Sequence, residues 1–206
     1  HIRDYDLAKK ILRGPVTKQA GFKVELAEQM PGLDQKPVLF QDGPEHQSQR
    51  RQIARFFTPK TTDENYRAMM EGYADELIAD LRNSGQVELS DVSLNMAVRV
   101  AAQVVGLTNS RLPGMAGRLD SFLKYDPGDA SGFSWQPRQI GGFLQANYSM
   151  LAFYGLDVRP AIQARRKQRQ EDVISHLLDQ EYSDREILIE CVTYGAAGMA
   201  TTREFI

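Results

Sequence analysis

His46 and Arg50 stand four residues apart in the stretch Asp42-Gly-Pro-Glu-His-Gln-Ser-Gln-Arg50. On an α-helix that spacing rotates two side chains only about 40° from each other, so both project from one face, one turn apart. Arg50 offers a bidentate fork for a carboxylate and His46 a second donor, so together they can grip one anionic group. The same spacing also describes a solvated surface pair. Asp42-Gly-Pro-Glu45 predicts the helix start: Asp42 as cap, Pro44 in the first turn where its missing amide costs little, and Glu45 reaching back. Arg51 and Arg55, again four apart, face elsewhere, as a solvated face or as a patch for an acidic partner protein.

A second constellation is Tyr194-Gly-Ala-Ala-Gly-Met-Ala-Thr-Thr-Arg-Glu-Phe-Ile206, a run of small residues and paired threonines inside a helical pattern. Glycine costs about 1 kcal/mol relative to alanine in a helix interior, and β-branched threonines add a smaller penalty. Something other than helix propensity therefore favours them. Ala197 and Gly198 lack bulk, so either a neighbouring helix or a flat ligand can approach within van der Waals contact. A threonine hydroxyl here can bond the carbonyl four residues back, or be freed to hold a water or a diatomic ligand.

The elements that must position these groups are helical. Apolar residues recur at three and four in Ile53, Phe56 and Phe57, in Met69, Met70, Tyr73, Leu77 and Leu81, and in Leu94, Val98, Ala101 and Val105. Ser183-Asp-Arg-Glu186 is a capping box, and the helix it opens runs through Ile187, Leu188, Cys191 and Tyr194 into the small-residue run. Gln86-Val-Glu-Leu89, after the turn Asn83-Ser-Gly85, is a strand-like scrap too short to found a sheet. Two Gly/Pro-rich excursions, 13–41 and 126–137, read as mobile connections that often border binding sites. The second carries Phe133 and Trp135, as tucked anchors or as ligand-facing groups.

With 42% hydrophobic and 25% charged residues, the 206-residue chain can bury a core, and its net charge of -2 without blocks of either sign argues against a nucleic-acid partner. No apolar run approaches the roughly 20 residues needed to span a bilayer, and residues 1–12 carry no signal-peptide pattern, so a cytoplasmic protein without a membrane partner is expected. A single cysteine, Cys191, excludes an internal disulfide framework, and His1, His46 and His176 are too scattered for a local zinc motif. The chain opens inside an amphipathic pattern and stops without a cap, which predicts a piece of a longer protein.

Phe40-Gln-Asp-Gly-Pro-Glu-His-Gln-Ser-Gln-Arg-Arg51, Phe56-Phe-Thr-Pro59, Glu171-Asp-Val-Ile-Ser-His-Leu-Leu178 and Ala197-Gly-Met-Ala-Thr-Thr202, in this order and separation, resemble the soluble bacterial cytochromes P450, which are haem-thiolate monooxygenases. The resemblance covers essentially the whole chain. It implies a mainly α fold, with residues 1–206 forming part of a single cytochrome P450 domain from about helix B to the central helix I, and a short β scrap. It implies haem b as cofactor, dioxygen and a mostly apolar small organic molecule as substrates, and a ferredoxin or a flavin-type reductase as electron donor. By this resemblance His46 and Arg50 match the propionate-binding pair. Ala197 and Gly198 match the small residues over the porphyrin, and Thr201 matches the threonine that helps protonate dioxygen at the iron. Thr193, Ala196 and Ala200 match positions walling the substrate pocket.

Two departures matter. The residue before the threonine is usually Asp or Glu, a proton relay, and here it is Ala200; Glu204, four residues on, is a substitute candidate or a solvated helix residue. The iron-ligating cysteine and a Glu-x-x-Arg pair belong to the family's second half, so no metal ligand is expected within this chain, and Cys191 reads as a buried thiol. The rival expectation, from a different class, is a catalytically impaired helical binding or scaffolding module that kept the fold.

Overall fold

The computed structural model describes residues 1–14, 36–123 and 137–202. Most of the 13–41 excursion, nearly all of 126–137 with Phe133 and Trp135, and Glu204 lie outside the described residues. The chain folds as two units, His1–Gln52 and Ile53–Ile206.

In the first unit, α1 (Tyr5–Leu12) starts at Asp4, whose Oδ1 accepts the Leu7 amide at 2.7 Å. A 3₁₀ turn, Val38–Phe40, precedes α2 (Gly43–Ala54). The chain enters α2 through Gly43 at φ +67, a left-handed conformation that favours glycine, and Pro44 and Glu45 occupy the first turn.

The second unit begins with Ile53 and Phe56 buried, while Phe57, expected on the same apolar face, is 50% exposed. The reason is that α2 stops at Ala54 and a 3₁₀ turn, Arg55–Phe57, rotates the side chains out of helical phase. Thr58 then caps the turn Pro59–Thr61, its Oγ1 accepting the Thr61 amide at 3.0 Å, while Thr61 Oγ1 donates to the Arg55 carbonyl at 2.7 Å. A π-turn, Thr62–Tyr66, leads into α3 (Arg67–Ser84), which ends at Gly85 with φ +74.

The expected β scrap is corrected here. Gln86–Glu88 is an extended link without strand pairing, and Leu89 already begins α4 (Leu89–Val105). Val87 and Leu89 are 40% and 63% exposed, so apolar alternation reflected no buried sheet face. The fold is mainly α, and among the described residues no strand occurs.

Among the described residues of this unit, five further helices follow: α5 (Met115–Leu123), α6 (Pro137–Phe153), α7 (Arg159–Lys167), α8 (Val173–Asp179) and α9 (Asp184–Gly195). A π-turn, Tyr154–Val158, joins α6 to α7, and another, Ala196–Ala200, follows α9. Helix α4 is the hub, packing against α3, α5, α8, α9 and the Ala196–Ala200 turn. Val98, Ala102 and Val105 of α4 join Phe153, Ile162, Ile174, Leu177 and Ile187 in one core. Full burial of such a large aliphatic or aromatic side chain contributes about 1.5–3 kcal/mol.

No helix among the described residues is long and apolar enough to cross a membrane. Nor, among them, do three His, Cys, Asp or Glu side chains converge to hold a metal ion.

Candidate functional site

The capping box at the start of α9 forms as the sequence predicts. Ser183 Oγ accepts the Glu186 amide at 3.3 Å, and Glu186 Oε2 accepts the Ser183 amide at 2.8 Å. From this fixed start the helix runs through the core to Ala196, where it widens into the π-turn. Such turns concentrate at functional sites, because the extra residue per turn re-aims the side chains that follow.

The small-residue run divides by burial. Ala196 is buried, whereas Ala197 and Thr201, one turn apart, are exposed. Gly198 faces α4: a Cβ built on it would lie 3.4 Å from the Ala101 Cβ. The helix-crossing explanation therefore holds for Gly198, and the exposed Ala197–Thr201 stripe is what a flat ligand could meet. Thr201 Oγ1 donates to the Ala197 carbonyl, so its proton is committed along the helix and its remaining lone-pair capacity is that of an acceptor.

Upstream on α9, Thr193 is buried and its hydroxyl donates to the Ile189 carbonyl at 2.9 Å. Cys191 is also buried. Desolvation, with the Glu190 and then the Asp172 charge adding to it, pushes its thiol far above the ordinary range, so it stays protonated and inert. The backbone of Ala200 closes the π-turn. In the first unit, His46 is half-buried and Arg50 exposed, one turn apart on α2.

Arg51 and Arg55, expected to share a face, have different partners. Arg51 lies on the helix with Nε donating to the Gln47 carbonyl at 3.2 Å, whereas Arg55 belongs to the 3₁₀ turn. Arg55 lies over the Phe56 ring, 4.7 Å from its centroid, and its Nη2 approaches His176 Nδ1 at 3.4 Å. Phe57, which follows them in the turn, stacks on Tyr194 of α9 with centroids 5.9 Å apart and planes 19° apart.

Sequence reasoning passed over two buried ion pairs. Arg165 donates through Nε to Asp172 Oδ2, through Nη1 to Asn109 Oδ1 at 2.9 Å and through Nη2 to Thr108 Oγ1 at 2.9 Å. Asp172 Oδ1 meanwhile accepts the Ser175 amide at 2.8 Å and so caps α8. Gly106, at φ +98, ends α4 against this carboxylate; a Cβ there would lie 2.6 Å from Asp172 Cγ. Tyr66 is affected too: burial, then the charges of Glu171 and Asp172, raise its phenol above the ordinary value. The second pair is bidentate, with Arg118 Nε to Asp157 Oδ2 at 2.7 Å and Nη2 to Oδ1 at 2.8 Å, and Asp157 is fully buried. The signal for them in the sequence is slight: Arg118 alone lies in a mostly apolar helix, whereas Arg165 stands in the polar run Arg159–Lys167, Asp172 caps α8 and Asp157 sits in the π-turn.

Solved structures share the fold, not a matching sequence. No family model and no curated protein matches the sequence. Among solved structures, a retinoic acid-bound cyanobacterial CYP120A1 is similar with a TM-score of 0.67 and 19% identity, over 95% of this chain and 45% of that one. The mixed-function P450 MycG has a TM-score of 0.63 at 19% identity, over 97% and 49%. P450BioI, solved in complex with a hexadec-9Z-enoic acid-ligated acyl carrier protein, has a TM-score of 0.61 at 22% identity, over 93% and 47%. The chain thus has part of the cytochrome P450 fold and spans about half the length of the structures it matches.

Proposed function

We propose that the intact protein is a haem-dependent monooxygenase that places one oxygen atom of dioxygen in a mostly apolar small organic molecule. The observation that carries this reading is the exposed Ala197–Thr201 stripe on a π-distorted helix, within part of a cytochrome P450 fold. A small methyl beside a hydroxyl on an uncovered helical face fits a planar cofactor with a reactive centre. When bound through a thiolate, haem supplies the activation of dioxygen using two electrons from a partner, here a ferredoxin or a flavin-type reductase.

The residues of this chain have separate tasks. His46 and Arg50 hold the cofactor's propionate carboxylates, Arg50 through its charged fork and His46 through a second donor. Ala197 keeps the approach to the ring open, and Gly198 lets the helix lie close to α4 behind it. Thr201 Oγ1, which donates its hydrogen bond to the Ala197 carbonyl, would accept one from a water and so orient that water over the open face. Thr193, Ala196 and Ala200 form the apolar wall. With its proton committed to the Ile189 carbonyl, Thr193 offers the substrate bulk and an acceptor but no donor.

Ala200 cannot relay a proton, and this favours one alternative, a P450-like scaffold that has lost catalysis. A spectrum of the full-length protein, reduced under carbon monoxide, tests both. A thiolate-type Soret band is expected, and its absence leaves the scaffold reading.

A further inference from the structure

Arg55 and His176 meet across 121 residues of sequence, where the turn leaving α2 touches the last turn of α8. Three groups form a small stack there. The Arg55 guanidinium lies 4.7 Å from the Phe56 centroid, and the Phe56 and His176 rings are 5.9 Å apart, tilted by 55°. Arg55 Nη2 faces His176 Nδ1 at 3.4 Å. Arginine has donors and no acceptor, so His176 Nδ1 must accept, which requires the neutral imidazole with its proton on Nε2.

We propose that this contact is a proton-released latch: the bond from Arg55 and the protonation of His176 exclude each other, so acidification frees the Arg55–Phe57 turn from α8. A doubly protonated ring offers no lone pair at Nδ1 and sets a second cation beside the guanidinium. The charged groups facing His176 are Arg55 from the turn and Asp179 from α8 itself, and Asp179 is engaged by Arg169 at 2.7 Å. Burial first, then the Arg55 charge, hold His176 below its ordinary value, while Asp179 acts in the opposite direction.

Release matters because of what the turn carries. Phe56 is an anchor of the core, and Phe57 stacks on Tyr194, one turn ahead of Ala197. Loosening the turn therefore reaches the helix that bears the exposed stripe. The latch itself does not depend on the proposed oxidative function.

Hydrogen exchange at the Arg55–Phe57 amides in the full-length protein, corrected for intrinsic rates, tests this near pH 7.5 and near pH 5.5, either side of the histidine range. Opening should increase severalfold at the lower pH in the parent. His176→Gln keeps a side-chain acceptor that does not titrate, so its opening should be low and equal at both pH values. Arg55→Gln should raise the His176 titration midpoint measured by NMR, with the resonance assigned by its loss in His176→Gln. If His176→Gln retains the parent's pH dependence, or if Arg55→Gln leaves the His176 midpoint where it was, the latch is refuted.

Discussion

Glu171–Leu178 and Ala197–Thr202 both stand out as motifs in the sequence, yet their polar residues are treated in opposite ways. Asp172 is 3% exposed, with one carboxylate oxygen on Arg165 and the other on the Ser175 amide. Thr201 is exposed and gives one bond to its own helix. The first segment is a closed set of charges and hydrogen bonds that holds α4, α7 and α8 together, and the second leaves capacity facing outward. A polar residue fully satisfied inside its own fold serves architecture, whereas an exposed one on a packed helix keeps capacity for a further hydrogen bond.

The strongest way to break this comparison is Asp172→Ala. It strands the buried Arg165 guanidinium and removes the α8 cap, and loss of one partner of a buried pair costs about 3–5 kcal/mol. Urea unfolding of the full-length protein should show a loss of this size. A loss below about 1 kcal/mol would mean that solvent or another carboxylate rescues Arg165.

Arg50→Ala should behave in the opposite way. Arg50 is exposed, so stability should change by no more than about 0.5 kcal/mol. Haem retention should fall, because a charge-assisted hydrogen bond worth about 1.5–3 kcal/mol is removed, roughly ten- to a hundredfold in affinity. Competition for haem with an apo-globin measures this, and unchanged affinity would refute the propionate assignment.

The two predictions also mark what could be read from sequence. The Ser183–Glu186 box was legible because its partners are three residues apart, and α4 because its periodicity is long. The end of α2 at Ala54 was not, since nothing in Gln52-Ile-Ala-Arg-Phe-Phe57 is a stop signal. Burial of Phe56 and the Thr61 bond to the Arg55 carbonyl instead belong to tertiary and turn geometry. Gln86–Leu89 failed for the converse reason: alternation without a partner strand makes no sheet. The Arg165 partners Thr108 and Asn109 lie 57 and 56 residues away, beyond any local pattern. For the site, spacing suggested the His46/Arg50 grip and the small-residue stripe, but could not divide the stripe into a face towards α4 and a face outward.

His176 sits between the two regimes, inside the buried motif but touching the surface Arg55. Its folded pKa is lowered chiefly by burial, so between that value and the ordinary 6.5 the unfolded chain binds more protons. Its contribution to stability is therefore complete above about pH 6.5, declines as pH falls through that window, and levels off below the folded pKa. The difference in unfolding free energy between the parent and His176→Gln, followed against pH, should bend in that window. A flat difference would remove His176 as a source of acid sensitivity.

The smallest effect concerns Ala197 and Gly198, which the sequence pattern treats alike and the structure separates. Gly198→Ala recovers about 1 kcal/mol of helix propensity, while its new Cβ meets Ala101 at 3.4 Å, at the edge of ordinary contact. The two terms nearly cancel, so stability should stay within about 0.5 kcal/mol. Because the methyl group points at α4, the Soret spectrum of the loaded full-length protein should also be unchanged. Ala197→Val places its added bulk on the exposed face, so stability should change little while the Soret band shifts or haem is lost. If Gly198→Ala perturbs the spectrum as much as Ala197→Val does, both residues face the cofactor and the assignment of Gly198 to the helix crossing is wrong. If neither variant perturbs it, the exposed stripe does not face a haem.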